Sequence, residues 1–336
     1  MKLSVICPIL NEEKYIVSCI ESVLKQDYPK QDMEVLFVDG MSVDATRRIV
    51  LEYSALYPFF RLLDNPFKTA PCAMNIGIKE AKGDIVLRID AHTRYVDNYF
   101  SCLCKYLIEL EADNVGAVCH TDVLHKNAKT LAIREVLCHR FGVGNSVFRT
   151  GTDKVRRVDT VPFGCYHRSL FDKIGFYDER LTRNQDFELN RRILHAGGSI
   201  YIVPDTYAVY YARETFSALW KQNYQNGLWG IRTVLFTGNG SALALRHYIP
   251  FLFLLSLILP TLAGILWPPL FGISMLSLCM YFWVLLGVVI PLSFRKKLNI
   301  FYLLVSFLVL HISNGAGMLV SVFTAKNYVN NINKGR

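Results

Sequence analysis

A chain of 336 residues exceeds one minimal domain and suits an α/β domain joined to a further part. With 52% hydrophobic and only 19% charged residues, an entirely soluble globular chain is excluded and part of the molecule is expected in lipid. The net charge of +9 points to anionic headgroups or phosphate-bearing substrates. No soluble stretch shows a Lys/Arg run interleaved with aromatics, so no nucleic-acid partner is expected. Nine cysteines are scattered without a CxxC pair or a Cys/His zinc spacing, as buried, reduced thiols of a cytosolic domain would be. The chain opens on a strand-like run, Leu3–Cys7, with no signal-peptide pattern ahead of it, which places the soluble part in the cytosol.

In chain order, short apolar runs alternate with stretches of helical period. Leu3–Pro8, Glu34–Asp39 and Asp84–Asp90 read as strands, and Glu12–Lys25, Ala45–Ala55 and Ala70–Ala81 as the helices between them. Such alternation predicts right-handed βαβ units, a mostly parallel Rossmann-like sheet, and ligands at the C-terminal strand ends. Asn11–Glu12, Asp39 and Asp90–His92 fall there. Leu189–Ala196 begins a further helix. Phe216–Phe236 mixes Trp220 and Trp229 with Lys221 and Arg232; it reads as an interfacial helix, or as an amphipathic core helix.

After residue 248, Tyr248–Trp267, Phe271–Leu292 and Ile300–Val322 are each long enough to cross about 30 Å of hydrocarbon. The expected domains are therefore 1–212 an α/β domain, 213–247 interfacial, and 248–336 with about three transmembrane helices. Arg246 and the Arg295–Lys297 cluster belong on the cytosolic side by the positive-inside rule. Lys326, Lys334 and Arg336 then fall on the wrong side, so the third span is the least regular and can be re-entrant.

Three places carry chemistry. Asp90 and His92, two residues apart at a strand end, can reach one divalent ion and so neutralise a nucleotide diphosphate, or form an ordinary surface turn. Asp39 can accept hydrogen bonds from a base or ribose, while Asp44 reads as the N-cap of the helix at Ala45. Asp186 stands before a helix, either as its N-cap or as a general base that the helix N-terminus keeps ionised.

Ser4-Val5-Ile6-Cys7-Pro8-Ile9-Leu10-Asn11-Glu12-Glu13, then Val38-Asp39-Gly40-Met41-Ser42, then Asp90-Ala91-His92, then Gln185-Asp186 together resemble family 2 glycosyltransferases with the GT-A fold. Phe141–Asn145, Val158–Gly164 and Arg183–Asp186 are similar to the succinoglycan-pathway glucosyltransferase branch, which builds exopolysaccharide on a lipid carrier. The resemblance implies a nucleotide-sugar pocket of Pro8, Leu10, Glu12, Asp39, Lys68 and Asp90. It also implies a metal, Mn2+ or Mg2+, on Asp90 and His92, and Asp186 as the base of an inverting, single-displacement transfer. Family members often have Tyr at Leu10 and Asp at His92. Processive relatives carry Gln-x-x-Arg-Trp where this chain has Gln225-Asn226-Gly227-Leu228-Trp229, which implies transfer of a single sugar; Arg232, one turn on, can stand in for the missing arginine.

The implied function is transfer from a UDP-sugar to a hydroxyl of a lipid-linked saccharide in exopolysaccharide or capsule biosynthesis. The implied place is a plasma (inner) membrane with the catalytic domain cytosolic, with polysaccharide-assembly enzymes as partners. A polyprenyl-phosphate sugar transferase is the alternative within the same chemistry. A transporter or flippase subunit is the alternative from another class. Three spans enclose too little for a pore, and His311 alone supplies an intramembrane ionisable group.

Overall fold

The computed structural model describes residues 1–238 and 245–334, with side chains to 329. The strands are β1 (Leu3–Ile9), β2 (Met33–Asp39), β3 (Phe60–Asp64), β4 (Ile85–Arg88), β5 (Thr93–Tyr95), β6 (Asn114–Asp122), β7 (Arg156–Arg157), β8 (Cys165–His167) and β9 (Ile200–Tyr211). The first helices are α1 (Ile16–Leu24), α2 (Thr46–Leu56), α3 (Ala70–Glu80), α4 (Tyr99–Glu109), α5 (Ala128–Val136), α6 (Arg140–Val143) and α7 (Val147–Thr150). There follow α8 (Leu170–Ile174), α9 (Gln185–His195), α10 (Phe216–Thr237), α11 (Ile249–Gly264), α12 (Phe271–Lys296) and α13 (Ile300–Lys334).

Two units divide the chain: Met1–His120 with Val147–Tyr211, and Thr121–Ser146 with Ala212–Arg336. Residues 121–146, expected with the first 212, thus group with the C-terminal helices. Positions 239–244 of the expected interfacial region, and Arg336 of the tail, lie outside the described residues.

In the first unit the apolar runs are buried on both faces with period two. Val5, Cys7, Val35, Phe37, Ile85 and Leu87 enter one core with Ile20 of α1 and Leu103 of α4. Ile6, Leu36, Val38 and Val86 enter the other, with Met74 of α3 and Leu189 of α9. Each fully buried Val, Leu or Ile contributes roughly 1.5–3 kcal/mol. Helices on both faces explain why these strands read as continuous apolar runs.

The sheet order is β3-β2-β1-β4-β8-β6-β9-β5, with β7 beside β9. The expectation of a mostly parallel sheet holds for one half only. β1 pairs parallel with β2 and β4, and β2 with β3. The pairs β4–β8, β6–β8, β5–β9 and β7–β9 are antiparallel. Strand direction in that half is set by pairings such as Asn114 with Tyr166, which no local apolar period reports.

In the second unit α10 lies against α13. A Cβ on Gly227 would stand 2.0 Å from the Asn314 carbonyl oxygen, and one on Gly317 2.1 Å from that of Tyr224. The two backbones touch, and glycine at both crossing points permits it. Arg232 is held between aromatic rings, 5.2 Å from the Trp229 centroid and 3.7 Å from that of Tyr328. Lys296, at the end of α12, donates to the buried Glu135 of α5 at 2.7 Å.

Two helices, Pro268–Lys296 and Ile300–Val329, are long and apolar enough to cross a membrane. The first apolar stretch forms a helix only over Ile249–Gly264, 16 residues. That is about 24 Å at 1.5 Å per residue, short of the roughly 30 Å hydrocarbon layer. In place of the three full spans expected stand two helices long enough to cross a membrane and one shorter apolar helix. The helix stops at Gly264 because residues 265–267, apolar but not helical, turn the chain into the two prolines Pro268 and Pro269 that open the next short helix.

Candidate active site

The site gathers at the C-terminal ends of β1, β2 and β4. After β1 the chain turns at Asn11, in the left-handed region at φ 55°. It is laced to the loop after β2: Asn11 N–H donates to Ser42 Oγ (2.9 Å), Glu12 N–H to Thr46 Oγ1 (2.7 Å) and Val43 N–H to Asn11 Oδ1 (3.0 Å). Asp44 accepts from Thr46 N–H at 3.0 Å, although α2 itself is capped at Ala45, one residue on from the expected cap.

Asp39 is 0% exposed. Its carboxylate accepts from the Ser42 amide and hydroxyl and from Arg47 Nη1 (3.2 Å), and Arg47 continues to Asp64 (2.6 Å). Its backbone carbonyl takes the Asn65 N–H at 2.8 Å, which fixes the loop carrying Lys68. Leu10, 39% exposed, and Lys68 flank Gly40. A Cβ there would come within 3.2 Å of Leu10 Cδ1 and 3.3 Å of Lys68 Cα. Pro8, Leu10, Asp39 and Lys68 are thus brought together at the β1–β2 edge.

Beside them, at the end of β4, Arg88 joins two carboxylates. Its Nη1 donates to Asp186 Oδ1, and its Nη2 and Nε donate to Asp90 Oδ1 at 3.1 and 3.2 Å. The Arg88 side chain is 6% exposed and that of Asp186 25%. Burial would lower the Arg88 pKa, but the charges of Asp186 and Asp90 outweigh it and raise it well above the ordinary value. Burial raises the Asp186 carboxyl; Arg88 opposes this and the Asp90 charge adds to it. Helix α9 begins at Gln185, four residues before the expected start. Asn184, at φ 62°, holds the N-cap position, so Asp186 is in the first turn.

The loop after β4 is fixed from below by Tyr95, whose hydroxyl accepts the Asp90 N–H at 2.8 Å. His92 Nδ1 lies 3.3 Å from Glu12 Oε1, and its ring meets those of Tyr15 and Tyr210 edge-on. Asp90 and His92 are each already engaged, one by Arg88 and the other by Glu12. Among the described residues no three His, Cys, Asp or Glu side chains form a metal-binding group.

Sequence reading gave Arg88 no role of its own, nor any to Tyr95 or Tyr210. Its signal was present: a cation inside the apolar run Ile85–Ile89 must be paired if that run is a buried strand.

A mixed, curled α/β sheet with carboxylates at the ends of its parallel strands is of the GT-A type. The chain belongs to glycosyl transferase family 2, whose model matches residues 4–178, and it is a glycosyltransferase. It is 26% identical over 230 residues to a dolichyl N-acetyl-alpha-D-glucosaminyl phosphate 3-beta-D-2,3-diacetamido-2,3-dideoxy-beta-D-glucuronosyltransferase of Methanococcus voltae, covering 67% of this chain and 71% of that one. It is 30% identical over 225 residues to the succinoglycan biosynthesis protein ExoA of Rhizobium meliloti, covering 66% and 67%. The poly(ribitol-phosphate) beta-N-acetylglucosaminyltransferase TarS of Staphylococcus aureus is 39% identical over 220 residues, which span 63% of this chain and 35% of TarS. The solved structure of GalNAc-T7 with UDP, GalNAc and Mn2+ shares the fold, with a TM-score of 0.50 at 18% identity over 63% of this chain and 44% of that one.

Proposed function

We propose that this chain is an inverting glycosyltransferase that moves a sugar from a UDP-sugar to a hydroxyl of a lipid-linked saccharide in exopolysaccharide or capsule assembly. The observation that carries the reading is the buried Arg88, which fixes Asp90 and Asp186 together at the strand ends. The relatives named for dolichyl-linked sugar transfer and succinoglycan biosynthesis support the acceptor class.

Pro8, Leu10, Asp39 and Lys68 would hold the nucleoside. Asp39, buried and engaged by Ser42 and Arg47, acts by shaping that loop. Glu12 orients His92. The donor set of Asp90 and His92 would fit a divalent ion that completes its shell from phosphate oxygens, the Asp90 carboxylate being a ligand for either Mg2+ or Mn2+. Such an ion, when bound, neutralises charge on the departing diphosphate. Asp186 takes the proton of the acceptor hydroxyl. That oxygen attacks the anomeric carbon in line, the bond from that carbon to the diphosphate oxygen breaks, and the nucleoside diphosphate leaves with the electron pair. The configuration inverts in one displacement. Burial raises the Asp186 carboxyl above its ordinary value, which makes its ionised form the stronger proton acceptor.

The apolar helices support membrane attachment, with the catalytic unit cytosolic at a plasma membrane and α10 at the headgroups through its exposed Trp220 and Leu235. Leu228 in place of the processive arginine, with Arg232 committed to Trp229 and Tyr328, supports transfer of one sugar per acceptor.

The test is purified full-length protein with labelled UDP-sugars, Mn2+ and lipid-linked saccharide acceptors. Transfer to a saccharide hydroxyl is expected. If no labelled sugar reaches any acceptor and no donor is hydrolysed, the reading fails.

A further inference from the structure

Arg149, in α7, is a cation with no anionic partner in the first unit. Its Nη1 is buried and makes no hydrogen bond to any described residue. What surrounds it is aromatic: the guanidinium carbon lies 5.5 Å from the ring centroid of Phe148 and 5.5 Å from that of Tyr210. Aromatic faces hold a guanidinium in place without satisfying its N–H groups. A buried donor left in that state has a role to be found, because native structures pair nearly all such groups.

Tyr210 ties Arg149 to the site. Its ring meets the His92 ring at 5.9 Å, and His92 is joined to Glu12. In the antiparallel β5–β9 pair Tyr210 stands opposite Thr93, so the two side chains share a face of the sheet. The Thr93 hydroxyl is itself buried without a partner. Two unused donors, one charged, therefore flank Tyr210 next to the Asp90–His92 loop.

The charge balance states what they await. Glu12, Asp90 and Asp186 are acidic, and a nucleoside diphosphate adds more negative charge. Arg88 is committed to Asp90 and Asp186, and Arg47 to Asp39 and Asp64. Arg149 alone among these arginines keeps its charge for a ligand.

We propose that Arg149 is the diphosphate-binding arginine of this chain, donating to a phosphate oxygen of the nucleotide donor, with the Thr93 hydroxyl as a second donor to the same diphosphate. The assignment rests on the nucleotide-sugar reading above. Tyr210 and Phe148 hold the guanidinium ready, so little side-chain freedom is lost when the phosphate arrives.

The experiment titrates wild type, Arg149→Lys and Arg149→Met with UDP and with uridine in the presence of Mn2+, using the full chain in detergent. Thermal melting of each protein is recorded alongside. For Arg149→Met, UDP affinity should fall by about tenfold or more, the loss of one hydrogen bond to a charged group, while uridine affinity is unchanged. Arg149→Lys should keep part of the UDP affinity. Equal UDP affinity in wild type and Arg149→Met overturns the assignment. So does an equal fractional loss for uridine and UDP, which would mark a packing role. Wild type that binds no UDP removes the donor reading and this assignment with it.

Discussion

Arg88 and Asp186 stand 98 residues apart in the chain and meet as an ion pair on a buried guanidinium, with Asp90 on the same group. One cation thus sets the distance between the expected metal-side carboxylate and the expected base. Removing it leaves two part-buried like charges without their shared cation. Arg88→Met should cost about 1–3 kcal/mol, less than for a fully buried pair because both carboxylates keep some contact with solvent. A large fall in melting temperature checks this, and a melt close to wild type would show that Arg88 does not organise the site.

Asp186→Asn keeps the shape and one hydrogen-bond acceptor for Arg88 but removes the proposed base. Turnover should fall by roughly 10²–10⁴-fold, with UDP affinity retained. Steady-state kinetics with a saccharide acceptor, beside nucleotide titration, separate the two effects. Unimpaired turnover would remove the base assignment and favour a phosphate acceptor, as on a polyprenyl phosphate, which needs no deprotonation.

The same residue predicts opposed pH trends. Its carboxyl is raised above the ordinary 3.8 by burial. The folded chain therefore binds this proton more tightly than the unfolded chain does. The stability it contributes is complete below 3.8 and is lost as pH rises through the folded value. Activity needs the ionised form and rises across the same window. Melting temperature against pH, wild type minus Asp186→Asn, should slope downward there; a flat difference contradicts the raised value.

If Asp90 and His92 hold a divalent ion, chelation should abolish transfer, and Mn2+ or Mg2+ should restore it. His92→Ala should raise the Mn2+ concentration needed. Paramagnetic resonance of free Mn2+, with UDP present, reads binding without turnover. Undiminished Mn2+ uptake by His92→Ala would leave Asp90 as the sole protein ligand.

Gly227→Ala places a methyl 2.0 Å from the Asn314 carbonyl oxygen, so α10 and α13 must separate. The cost should be about 1–3 kcal/mol. Gly272→Ala in α12 is the control: nothing lies within 4 Å of its Cβ, and the change should be neutral or stabilising. Paired melts of the two variants compare them directly.

Much of this protein is written locally. The period-two apolar runs of β1, β2 and β4 and the helical period of α1, α2 and α3 report burial on two faces, because each residue's environment repeats with the backbone geometry. The polar residues that follow those strands mark the site for the same reason. The family wording from Ser4 to Asp186 points to a family 2 glycosyltransferase without any knowledge of the fold. Other features were decided only in three dimensions. The antiparallel half of the sheet depends on pairings such as Asn114 with Tyr166, some 50 residues apart. The short α11 depends on where a proline turn falls. Arg88 between Asp90 and Asp186, and Arg149 between Phe148 and Tyr210, arise because the fold closes distant segments on one charge. Electrostatic energy depends on distance and burial, and a linear sequence states neither.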